Sequence, residues 1–169
     1  MTTTSTTTTH ESARAVLDFA RRITLKMVDD IPAEKICSKP LDGTNHALWV
    51  LGHLAVTDNW FACTIGNRES VIDESWEPLF GMKSEPSDDP SNYPPLGEIK
   101  AGLERARQSL LTGFESLDEQ QLQAPVPEAL EGFAPNVGGA ALTLAWHEGF
   151  HAGQLSAVRR SLGLPLTMG

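Results

Sequence analysis

Cysteine is scarce in this sequence, with only Cys37 and Cys63 among 169 residues. Two are too few for a disulfide framework or a thiolate metal cluster, so unpaired thiols are expected, with one disulfide arithmetically open. Basic residues are also short: 13 Lys and Arg face 22 Asp and Glu, a formal net charge of −9. That balance argues against nucleic acid and against an anionic membrane surface as partners, since both select basic faces. No apolar run approaches the ~20 residues that span a bilayer. The polar tract Thr2–Thr9 lacks the charged-then-apolar layout of a signal peptide, so the cytoplasm is the expected location. No solenoid-period repeat is present. What is there is ordinary: 40% hydrophobic and 21% charged residues, enough for one domain with its own core.

Residues 1–9, almost all Thr and Ser, offer little to bury against their ordering entropy and are expected to be a disordered tail. Residues 10–169 read as a single domain with four helical patterns and no strand. The first runs from about Glu11 to Asp30, with Thr8 and Glu11 at capping-box spacing and Val16, Ala20, Ile23 and Met27 on one face. The second follows Thr44 as N-cap, ends before Gly66 and is apolar on most sides, hence buried. The third opens after Pro94-Pro95 with Ile99, Leu103, Ala106, Leu110, Phe114 and Leu117 in a stripe. The fourth spans about Ala140 to Leu162 and stops at Gly163 and Pro165. Four long helices with two long connections predict an all-α four-helix bundle. The polar connection from Asn67 to Pro95 is long enough for a lid, with Trp76, Leu79 and Phe80 as anchors. Three histidines then stand out as core candidates.

On the last helix Leu144, His147, His151, Leu155, Val158 and Leu162 fall on one face at ~100° per residue. His147 and His151 are i, i+4, which stacks their rings ~5–6 Å apart at Cβ. A lone core histidine is usually a packing residue; two in an apolar stripe must each satisfy two ring nitrogens away from water, and a metal does that for one nitrogen of each. Gln154 shares the face and is placed to orient a ligand or a water. The buried second helix offers His53, beside Gly52, with Trp49 and Trp60 near its face as an apolar wall. His46 lies ~10 Å from His53 along the axis, so one straight helix cannot supply both to one ion. The deeper His53 is the expected ligand, and His46 is expected to line the mouth or to be exposed. His10, in the tail, is set aside.

His147-Glu148-Gly149-Phe150-His151 also fits H-E-x-x-H, in which the glutamate serves a zinc protease as base. No His, Asp or Glu follows His151, so the third ligand of that class is missing. Glu148, about 100° around the helix from His147, is retained only as a candidate base or a surface flank. Three imidazoles leave coordination free on one divalent ion, zinc or nickel by ligand type, with iron also permitted. Such an ion acidifies a bound water for hydrolysis or a substrate thiol for transfer. Arg159 and Arg160 suit an acidic substrate or, more ordinarily, the dipole of the last turn.

Asn45 to Ala55 (NHALWVLGHLA), followed far downstream by His147 to Arg160 (HEGFHAGQLSAVRR), resembles the DinB/YfiT-like superfamily over nearly the whole chain after the Thr tract. The resemblance implies an up-down-down-up four-helix bundle, often a homodimer, with a divalent metal on three histidines, here His53, His147 and His151. Characterised relatives include transferases and isomerases that use low-molecular-weight thiols, and metal-dependent hydrolases. The expected function is therefore activation of a small-molecule thiol, with hydrolysis by activated water or a non-catalytic binding bundle as the alternatives, and with a small molecule as substrate.

Overall fold

The structure, a computed structural model, describes residues 3–167. Every regular element among them is helical, and no strand is present. The four long helices are α1 (Thr3–Val28), α2 (Ala47–Ile65), α4 (Leu96–Glu115) and α6 (Ala140–Ser161), joined by the short α3 (Glu77–Phe80) and α5 (Glu119–Gln123) and by single 3-10 turns. Their ends follow local chemistry. Pro95 precedes α4, Asp118 closes a capping box on α5, and Gly163 takes a positive φ of 71° just past α6. Two expectations change. Helix α1 begins at Thr3, so the tract from Thr3 onward extends the helix instead of forming a tail; adding turns to an existing helix avoids a new nucleation step. Residues 1 and 2 lie outside the described residues. The N-cap of α2 is His46, not Thr44, whose hydroxyl is taken up in a turn with Leu41.

Helix α2 packs mainly against α4, and α1 against α6. The core divides into two apolar clusters. One gathers Met27, Leu51, Leu54, Phe80, Leu103 and Leu155; the other gathers Leu17, Phe61, Leu110, Phe114 and Leu144. The connection after α2 is docked, not free. Trp76 and Phe80 are buried in the first cluster, and each meets a glycine: a Cβ on Gly102 would sit 2.6 Å from the Trp76 ring and one on Gly52 2.3 Å from the Phe80 ring. Gly52 therefore makes room for Phe80, and Trp76 and Phe80 anchor the segment against the bundle as expected. Arg159 is fully buried, donating to the carbonyls of Met27 and Pro165 and pairing with Asp30, so it fastens the chain end instead of meeting a substrate. No helix among the described residues is long and apolar enough to cross a membrane.

Candidate metal centre

His53 comes from the middle of α2, and His147 and His151 from successive turns of α6. Their ring nitrogens converge. His147 Nε2 lies 3.2 Å from His53 Nε2 and 3.1 Å from His151 Nε2, and the three candidate ligand atoms all fall within 4.8 Å of one another. The outward nitrogens set the tautomers. His53 Nδ1 donates to the Phe80 carbonyl at 2.8 Å, and His151 Nδ1 to Gln154 Oε1 at 2.9 Å. Gln154 Oε1 also accepts from Asn45 Nδ2 at 3.0 Å, which holds the amide in place. With protons on Nδ1, the Nε2 atoms of His53 and His151 are lone pairs facing His147, which can donate to only one of them. A shared cation resolves that conflict. Two ~2.0–2.1 Å bonds at a tetrahedral angle span about 3.3 Å, close to the observed separations. His147 Nδ1 is buried with no hydrogen-bond partner.

Burial keeps all three rings neutral near pH 7. It lowers His53 against the Phe80 carbonyl, which pulls the other way. Burial, with the neighbouring His53 second, brings His147 to about 4; burial, then His147 and His53, brings His151 to about 3. Neutral imidazole is the form that ligates. The Trp49 ring stacks on His53 at 4.6 Å and 9° and donates to Ser84 Oγ, so it is a buried backing for the ligand and not an open wall. Trp60 lies two turns on, lining a groove that begins at His53. His10 packs edge-on to Phe114, apart from the cluster.

His46 is neither at the mouth nor exposed. It is fully buried, its Nδ1 accepting from the Trp49 amide as N-cap of α2 and its Nε2 donating to the Ser87 carbonyl at 2.9 Å, with Tyr93 Oη close by. Burial brings its pKa to about 4, with the Ser87 carbonyl and Asp88 opposing and Lys39 assisting. A group depressed from about 6.5 to about 4 contributes stability that is complete above the unfolded value and lost as pH falls between the two. The full span is worth of order 3 kcal/mol. Since Asn caps without titrating, His46→Asn should flatten the fall in stability between pH 7 and pH 4.5, read by urea unfolding in chelator; an unchanged slope would refute this account.

Glu148 is not a flank. It is buried beside Asp58 and two arginines, one residue from each long helix. Arg21 Nε donates to Glu148 Oε1 at 2.7 Å and Arg21 Nη2 to Asp58 Oδ2 at 2.9 Å. Arg107 Nε donates to Asp58 Oδ2 at 2.8 Å and Arg107 Nη2 to Glu148 Oε2 at 2.6 Å. The remaining guanidinium nitrogens reach the Leu103 and Leu17 carbonyls. Burial alone would raise Asp58, but Arg107 and Arg21 outweigh it and hold the carboxyl below its usual range. Both Glu148 oxygens are thus engaged, which removes it as a free base. The tetrad falls, along every long helix, between the two apolar clusters. Sequence reasoning passed over Arg21, Asp58 and Arg107, although Asp58 is the one charged residue within α2 and that was a signal.

The family model of the DinB superfamily matches residues 17–155. No curated protein matches the chain.

Proposed function

This chain belongs to the DinB superfamily, and from that premise we propose a divalent-metal-dependent enzyme that activates a small-molecule thiol for transfer or isomerisation. The long helices α1, α2, α4 and α6 take the up-down-down-up bundle order of that family in this reading. The observation that carries it is the convergence of three neutral Nε2 atoms from His53, His147 and His151, one donor fewer than a closed structural site provides. Zinc and nickel suit such a donor set, and iron is compatible with it. A divalent ion held there lowers the pKa of a coordinated thiol or water toward neutrality.

The chain's own residues supply the rest. Phe80 and Gln154 fix the rings of His53 and His151, and Asn45 steadies Gln154. Trp49 covers His53 and excludes water from its face. Glu148, spent on Arg21 and Arg107, leaves hydrolysis without the base that the H-E-x-x-H pattern offered, and this favours the thiol over water as nucleophile. Full-length protein loaded with Zn or Ni should turn over an electrophile only when a low-molecular-weight thiol is present, and His151→Ala should lose that turnover. Equal turnover without thiol would reassign the protein as a hydrolase. No turnover across a broad panel of thiols and electrophiles would leave a binding bundle.

The cytoplasm is the proposed compartment, supported by two cysteines that are both free thiols. A homodimer is proposed on α6, where Leu142, Trp146 and Phe150 are exposed at i, i+4 and i+8 beside the open Gly149 and Gly153. Light scattering at micromolar concentration should give twice the chain mass, and Trp146→Glu the single mass. A monomeric wild type would end the proposal.

A further inference from the structure

A cavity of about 650 Å³ begins at His53 and lies between α2 and the 70–84 segment. That volume is within the usual range for small-molecule sites. Its α2 wall carries His53, Val56, Trp60 and Cys63, which fall on one helix face and span ~15 Å at 1.5 Å per residue. Ile72, Pro78 and Met82 form much of the opposite wall. The neutral polar groups nearby are largely committed to the fold. Asn59 holds the Ser70 hydroxyl and the Val71 amide, and Ser84 Oγ accepts from Trp49 and donates to the Gly81 carbonyl. Apolar contact therefore decides what the groove holds.

Its charge decides what the groove refuses. Asp73, Glu74 and Glu77 line it against a single cation, Lys83. Hydrogen bonds with Ser75 hold the Asp73 carboxyl below its usual range, and the chain as a whole is at −9. At the rim of a cleft with apolar walls that excess of exposed negative charge disfavours an anionic ligand.

We propose that this groove is the substrate site and that it selects elongated apolar molecules that are neutral or cationic along their body, rejecting anions of the same shape. Only the orientation, with the reacting end at His53, rests on the metal reading above. Binding in the groove does not need the ion.

N-phenyl-1-naphthylamine and 1-anilinonaphthalene-8-sulfonate share one skeleton and differ by a sulfonate, which makes them a matched pair of fluorescent probes. The full-length protein should bind one neutral probe per chain at least tenfold tighter than the sulfonate, with tryptophan-to-probe energy transfer that Trp60→Phe reduces. Val56→Trp should weaken the neutral probe at least tenfold by filling the groove. Cys63→Trp repeats that test should Val56→Trp fail to fold by circular dichroism. Glu74→Lys with Glu77→Lys should bring the two probes within about threefold of each other. Sulfonate binding as tight as the neutral probe would overturn the proposal. So would neutral-probe binding that neither blocking variant weakens, which would put the probe on a surface such as the Trp146 stripe. His151→Ala should lose metal and still bind the neutral probe; loss of metal affinity in wild type with probe binding intact would sink the metal reading and leave the groove standing.

Discussion

Replacing His151 with alanine should strip the protein of its metal. Wild-type protein purified without a histidine tag is expected to hold one divalent ion per chain, and the variant close to none, by elemental analysis after dialysis. The reason is the donor count. His53, His147 and His151 bring three nitrogens to one point, and two nitrogens from two helices hold an ion far less firmly than three. The loss should exceed the roughly 10–100-fold that accompanies removal of an outer partner alone. Gln154→Ala supplies that smaller effect for comparison, because it frees His151 Nδ1 without deleting a ligand. The fold should survive both changes, since His151 packs among rings and not in the tetrad. One full equivalent of metal retained at unchanged affinity in His151→Ala would rule the site out.

Arg107→Ala should cost about 3–5 kcal/mol of stability, enough to unfold a marginal domain. Arg107 is buried and serves Asp58, Glu148 and the Leu17 carbonyl at once. Its removal leaves two almost fully buried carboxylates facing one remaining guanidinium, Arg21. The penalty comes from the uncompensated charge, not from the value of the pair itself. Urea unfolding at pH 7 reads the change directly, and a loss below about 1 kcal/mol would show that the tetrad is not sealed from solvent. Glu148→Gln should behave in the same direction. A fall in activity in that variant would then report on folding, so its stability has to be measured before any catalytic role is assigned to Glu148.

Much of the helical layout is written locally. The periodic stripes of α4 and α6, Pro95 before α4 and Gly163 after α6 placed those two helices close to where they lie. The i, i+4 pair His147 and His151, set among Leu144, Leu155 and Val158, marked one half of the site without any knowledge of packing. Helical periodicity is a property of a dozen neighbouring residues, so it survives without tertiary context. His53 needed more: an apolar helix of its own and a choice over His46 that rested on depth along the axis.

What the tertiary structure decided is the set of partners that lie far apart in the chain. Arg21, Asp58, Arg107 and Glu148 stand 37 to 127 residues from one another across the pairs formed with Arg21, and no local pattern announces that four charges will meet. The Phe80 carbonyl that orients His53 is main chain, which carries no residue signature. His46 looked like a mouth residue until Ser87 and Tyr93 folded over it. In each case a polar group's role follows from who else is buried beside it. Burial makes an unpaired charge or lone pair expensive, and burial exists only once the helices have packed.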